Sequence, residues 1–288
     1  MEKIGTVSEL WRYPVKSMAG ERLERCEVGT LGVAGDRGWA LRDEKAGEVR
    51  GAKKLGSLMR CAAVYLEEPA GGRIPHAEIT LPGGERVRTT DTESVNQRLS
   101  GFLGRPVTIW PLQPPENRDF YRRGAPDNPD MSLELREIFG RIGDEPLPDL
   151  TGVPPEIFEF TSPLGTYFDV FPLHILTTAS LEELARRNPA SIIDVRRFRP
   201  NIVVQTRPDL TGFVEADWVG RMLVIGEVRI KLEIPCMRCV MPTLEQEGLP
   251  RDSSVLRTIV REAGQNFGSY ATASRGGSVA VGAEVLIE

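Results

Sequence analysis

Through roughly the first 110 residues, apolar and polar positions alternate over short stretches, the two-residue period of half-buried strands. This pattern predicts strands over residues 4–13, 37–42, 61–67, 77–81 and 106–110. Turn signals separate them at Gly29, Gly32, Gly35, Gly47, Pro69–Gly72 and Pro82–Gly84. A helix is predicted near 92–103, where Val95, Leu99, Phe102 and Leu103 fall on one face. From 111 to 165 the texture changes: ten of the 22 prolines lie there, with charged clusters such as Arg118-Asp-Phe-Tyr-Arg-Arg123 and a short helix at 132–140. A connection this long is usually functional or mobile, and the domain boundary is expected inside it.

The second half opens on the apolar run Phe171-Pro-Leu-His-Ile-Leu176. Ser180-Leu-Glu-Glu183 has capping-box spacing and predicts a helix start. Strands are predicted at 201–205, 222–225 and 227–233, then a helix at about 253–263 capped by Asp252 or Ser253, and a strand-like close over 277–287. No internal repeat is evident. Short strands, Gly-rich turns and few helices predict a β-rich, barrel-like α+β fold.

Charge narrows the function classes. The 36 basic and 41 acidic residues leave a net charge of −5 and a pI near 5.4, which argues against a general nucleic-acid binder. No apolar run approaches the ~18 residues of a membrane span, and the N-terminus lacks a secretory pattern, so no membrane span and a cytoplasmic location are expected. Only His76 and His174 are present, which disfavours zinc hydrolases and Ser-His or Cys-His nucleophile systems.

Three segments could carry chemistry. Pro235-Cys-Met-Arg-Cys239 follows a predicted strand; a thiolate there suits a soft metal or sulfur, and Arg238 would favour the thiolate. Inert structural cysteines, half a zinc site and a redox pair are competing readings, while Cys26 and Cys61 stand alone. Arg196-Arg-Phe-Arg-Pro-Asn-Ile-Val-Val204 reads as an anion- and amide-recognising corner or as a solvated basic edge. Tyr13-Pro-Val-Lys-Ser17, with Gly35-Asp-Arg37 downstream, places Lys16 and Ser17 where they could meet a phosphate or serve only as loop residues. Together they provide one soft thiolate, several phosphate-type cations and an Asn: the needs of a phosphorylated cofactor with a thiophilic centre.

The order YPVKS, GDRGW, RFRPNIVV, then Trp218-Val-Gly-Arg-Met-Leu-Val-Ile-Gly226 leading into CxRC, resembles the MOSC family. It looks most like the branch of the mitochondrial amidoxime-reducing component and its bacterial relatives. The resemblance implies a MOSC-associated N-terminal β-barrel-like domain over 1–120, a Pro-rich connection over 121–165 and a MOSC β-barrel domain over 166–288. It implies the molybdenum cofactor, a metal-bearing molybdopterin with a phosphate tail. Cys239 would be the catalytic residue and metal ligand. Lys16, Ser17, Arg37, Arg199 and Asn201 match the family's phosphate- and pterin-binding positions; Arg238, Asp169 and Thr177 are further cofactor-site candidates, and Cys236 a structural or redox neighbour.

The implied reaction removes oxygen from an N-hydroxylated or N-oxide-type small-molecule substrate and releases it as water. Electrons would come from a separate ferredoxin- or cytochrome-b5-like donor protein. The alternative is a carrier, of sulfur as a persulfide on Cys239 or of the cofactor itself. Sulfur would then come from a separate cysteine desulfurase, since no pyridoxal-phosphate desulfurase domain is present, although pyridoxal phosphate binding belongs to the family's vocabulary. A barrel without chemistry is the third reading. Met237 stands where relatives carry Ser or Gly, and Val170 and Phe171 replace hydroxyl residues, so the substrate rim here is bulkier and less polar.

Overall fold

A computed structural model describes residues 1–288. Its main sheet has eight strands: the short Glu21–Leu23 pairs on the end of the first, and the seven that close the ring are numbered here along the chain: β1 (Glu2–Arg12), β2 (Leu173–Thr177), β3 (Ile202–Thr206), β4 (Met222–Ile225), β5 (Val228–Met237), β6 (Asn266–Arg275) and β7 (Glu284–Ile287). The hydrogen-bonded order is β3-β2-β6-β5-β4-β7-β1, and β1 pairs back with β3, so the sheet closes into a barrel. The β2–β3 pair is parallel, joined through the helix Thr178–Arg187; every other neighbour is antiparallel. Closure leaves no unpaired edge around the ring.

Alternation in the sequence fills the barrel. Ile4, Val7 and Leu10 of β1 are buried, and they share one core with Leu173, Ile175, Ile202, Val204, Leu223, Ile230, Leu232, Val285 and Ile287. At ~25 cal/mol per Å2 of apolar surface, this burial is the main force that holds the staves together. The barrel follows the expected α+β, β-rich class.

The N-terminal half has its own core, Val15, Met18, Trp39, Leu41, Leu58, Ile79, Val95, Leu99 and Ile109 among it. Two three-stranded antiparallel sheets enclose it. One is Val107–Pro111, Trp39–Asp43 and Glu48–Arg50; the other is Ala62–Tyr65, Ala77–Thr80 and Arg86–Arg88. The helix Thr92–Leu103 packs on it, capped by Asp91 and ended by left-handed Gly104. Met241 joins this N-terminal core and Cys239 packs against it, so the segment after β5 lies where the halves meet.

The structure revises several local expectations. The helix after β2 begins at Thr178, and its cap is Thr177, whose side chain accepts from the Ser180 amide; Ser180 lies one turn inside. Glu183 turns to Arg186 and Arg187 instead of completing a capping box. The ten-residue strand β6, next to β5, falls where no strand was expected, because Gly268, Ser269 and Ser274 dilute its apolar alternation. β5 runs to Met237, so Cys236 is within the strand and only Cys239 lies beyond it.

Candidate functional site

Register shifts between Leu232 and Ile234 and between Pro235 and Met237 bend the end of β5 as it delivers the two cysteines. Cys236 is buried within the strand, while Cys239 is partly exposed in the loop that follows. Arg238 sits between them: Nη1 donates to Cys236 Sγ at 3.0 Å and Nη2 to the Phe198 carbonyl at 2.9 Å. The guanidinium hydrogen-bonds to Cys236, while Cys239 still feels its charge, as expected from their adjacency. Burial works against the charge on Arg238, but Cys236 and Tyr270 outweigh it and hold its pKa above the ordinary value.

The loop is braced from both sides. The Arg238 amide donates to Gln265 O, and Gln265 Nε2 donates back to Arg238 O, each at 2.8 Å. Arg197 is fully buried and has no acidic partner; it donates to the carbonyls of Ile192, Pro242 and Pro250. Of the three arginines in RRFRPN, Arg197 is thus a strut, Arg196 pairs with Asp194, and Arg199 faces the site.

A cavity of about 320 Å3 opens beside Cys239. Lys16, Ser17, Arg37, Asp169, Arg199, Asn201, Arg238 and Cys239 all line it. Thr177 does not: it is fully buried beneath its helix, with its amide donating to Glu215 Oε1 at 2.5 Å. Lys53, Arg123, His174 and Tyr270 complete the polar wall, and none was singled out from the sequence for this role. Arg123 belonged to a visible charged cluster. Lys53, next to Lys54 in a short turn, gave no periodic or motif signal at all.

The wall is electropositive. Six cations face two carboxylates, Asp149 and Asp169. Lys16 Nζ donates to Asp169 Oδ1 at 2.8 Å and to Tyr167 O at 2.7 Å, and Lys53 Nζ reaches Asp169 Oδ2 at 3.1 Å. Burial raises the Asp169 pKa, but the two ammonium groups overcome it and hold this carboxyl well below the usual range. Burial, reinforced by Lys53 and Arg37, lowers the pKa of Lys16 despite the Asp169 contact. Arg37 and Arg199 both lie against the Tyr13 ring, at 5.1 and 4.1 Å from its centroid. Burial, then repulsion from Arg37, brings Arg199 down to about 10.

Asn201 organises this corner from behind. Its Oδ1 accepts from the His174 amide at 3.1 Å, and its Nδ2 donates to Asp36 Oδ2 at 2.9 Å and to Trp11 O at 3.3 Å. Asp36 in turn accepts from the Tyr13 amide and pairs with Arg37. His174 is neutral here, because burial and then Arg238 push its pKa to about 3.

Backbone strain marks the same place. Four non-glycine residues have positive φ in the whole chain: Ser17 (68°), Arg37 (53°), Arg199 (56°) and Gln265 (71°). Three line the cavity, and the fourth grips Arg238. Such conformations cost about 1–3 kcal/mol each and persist where the surroundings enforce them, typically at functional sites.

The donor set fits a phosphorylated cofactor with a soft metal. Arg199 Nη2, Arg238 Nε and Gln265 Oε1 are buried without a hydrogen-bond partner, as groups awaiting a polar ligand are. No three His, Cys, Asp or Glu side chains gather to make a metal site from protein alone. Cys239 is the partly exposed thiol on this wall.

Comparison with known proteins agrees. The MOSC domain matches residues 165–286 and the MOSC N-terminal beta barrel domain matches residues 4–106. Mitochondrial amidoxime reducing component 2 from Homo sapiens is 26% identical over 86% of this chain and 69% of its own length. The Bos taurus protein of the same name is 26% identical over 98% of this chain and 83% of its own. Human molybdenum cofactor sulfurase is 25% identical over 92% of this chain, which spans only 29% of that longer protein. The two matched domains, which together span most of the sequence, make this chain a member of the MOSC family.

Proposed function

We propose that this chain is a molybdenum-cofactor-dependent reductase of N-hydroxylated or N-oxide-type substrates, with Cys239 as the protein's ligand to the metal. The single observation that carries this reading is the convergence of a partly exposed thiol and six cations on one cavity. Arg37 and Arg199 would neutralise the phosphate tail, which needs about two positive charges, while Lys16 and Lys53 share Asp169 at the same floor. Ser17 belongs to the same floor, although its Oγ already accepts from the Ala52 amide at 2.8 Å. Asn201 holds Asp36 and hence Arg37 in place.

Bound there, the cofactor supplies two-electron oxygen-atom chemistry that side chains cannot perform. The balance for an amidoxime is R–C(NH2)=N–OH plus two electrons and two protons, giving the amidine R–C(NH2)=NH and water. A separate electron-donor protein supplies the electrons. The apolar wall of Phe139, Leu150, Val153, Ile157, Phe171 and Met237 excludes water from one side of the cavity and suits the body of an organic substrate.

The test is metal and pterin content after expression in a cofactor-producing host, followed by reduction assays with a supplied donor. Near-stoichiometric molybdenum that is lost in Cys239→Ala and kept in Cys236→Ala supports the assignment. Full metal content in Cys239→Ala overturns it. An apoprotein that instead gains a persulfide on Cys239 from a cysteine desulfurase would make the chain a sulfur carrier.

A further inference from the structure

We propose that Arg123 is the specificity residue at the cavity mouth and selects substrates that carry a carboxylate. This rests on the reductase reading above and assigns a substrate class to it. Arg123 belongs to the connecting segment, and its side chain lines the cavity. Its Nε donates to the Ile157 carbonyl at 2.7 Å, which fixes the plane of the guanidinium. Both Nη groups have no partner, and no carboxylate stands within salt-bridge distance of them. The neighbouring arginines differ: Arg118 and Arg122 share Glu159, and Arg122 also meets Asp119.

The backbone beneath Arg123 is pinned, so the open fork is preorganised. Its amide donates to Glu159 O at 3.0 Å, and Arg122 bridges to Phe160. The Gly124 amide donates to Glu48 Oε2 at 2.9 Å, where a Cβ at Gly124 would sit 2.2 Å from Ala46 O. A rigid guanidinium with two free N–H edges is the geometry that takes a carboxylate bidentately. Solvent reaches the Arg123 side chain at the mouth, yet partial burial lowers its pKa, and Glu48, Asp169 and Glu134 only partly offset it.

Charge across the cavity points the same way. Asp169 already answers Lys16 and Lys53, Arg238 is held by Cys236 and the Phe198 carbonyl, Asp149 accepts from the Thr151 amide and pairs with no cation, and a phosphate tail of about two negative charges would answer Arg37 and Arg199. Arg123 remains over, beside the apolar wall of Phe139, Leu150 and Ile157, where low polarity strengthens its field. The matching ligand has an apolar body, a reducible N–O group directed inward and a carboxylate at the mouth.

The experiment compares benzamidoxime with para-carboxybenzamidoxime on the holoenzyme, by calorimetric Kd and by KM and kcat with a supplied electron donor. The carboxylated compound is expected to bind about tenfold tighter or more. Arg123→Met should abolish that preference, and Arg123→Lys should retain part of it. Equal affinity for the two compounds, or a preference that survives Arg123→Met, overturns the inference. Reduction of both without preference sinks it and leaves the reductase standing. A calorimetric preference without reduction of either keeps the carboxylate site and sinks the reductase.

Discussion

Lys16 Nζ lies 2.8 Å from Asp169 Oδ1 across 153 residues of chain, and this ion pair stitches the loop after β1 to the segment before β2. Asp169 also reaches Lys53, so one carboxylate tempers two ammonium groups at the cavity floor. Asp169→Asn is expected to destabilise the cofactor-free protein by about 2 kcal/mol, discounted because the carboxylate is about a third exposed. It should also tighten binding of inorganic phosphate, since the floor becomes more positive. Urea unfolding with and without phosphate measures both effects, and weaker phosphate binding would contradict this electrostatic account.

Arg199 titrates near 10, so its charge is present at neutral pH and lost as pH rises through that value. Phosphate binding to the cofactor-free protein should hold to about pH 9 and weaken between about pH 9 and pH 11. Arg199→Met should start weaker, and the part of the decline due to Arg199 should vanish. Calorimetry across that range checks it; identical pH profiles for the two proteins would remove Arg199 from the anion site.

His174 is neutral in the fold with a pKa of about 3, against an ordinary value of 6.5. The unfolded chain therefore binds the extra proton between these values, and stability falls as pH drops below about 6.5. From pH 7 to pH 5 the loss from this residue should be about 2 kcal/mol. His174→Gln should lose that much less than the wild type over the same interval, as read by urea unfolding at each pH.

Thr177 separates a cap from a cofactor ligand. Its hydroxyl accepts from the Ser180 amide, and it lies outside the cavity. Thr177→Ala should cost about 1 kcal/mol of stability. Molybdenum content should remain at the wild-type level in protein that folds, and its selective loss would assign Thr177 to the cofactor.

Much of this site was legible because motif and chemistry coincide. Lys16, Arg37, Arg199 and Cys239 are reactive or charged residues at turns and strand ends, and folding brings them to one cavity. What sequence spacing hides is direction. Arg238 adjoins Cys239 in sequence, yet its guanidinium turns to Cys236, because β5 continues through Met237 and sets the side chain's course. Asn201 lines the cavity, and sequence could not show that its amide donors also go to Asp36 and Trp11. Lys53 and Arg123 join the site only through tertiary packing. β6 escaped notice because small polar residues can occupy a central strand when its neighbours, here β2 and β5, supply the bulk.

The closure of the barrel by β1 has a further consequence for how the molecule can be divided. The first eleven residues of the strand run form a stave between β7 and β3, ahead of every other element of the N-terminal half. A fragment that begins after the Pro-rich connection would carry six staves and two bare edges, open to pairing with another copy. The two halves are therefore sequential along the chain but interlocked in the fold, and separating them would leave the cavity half walled.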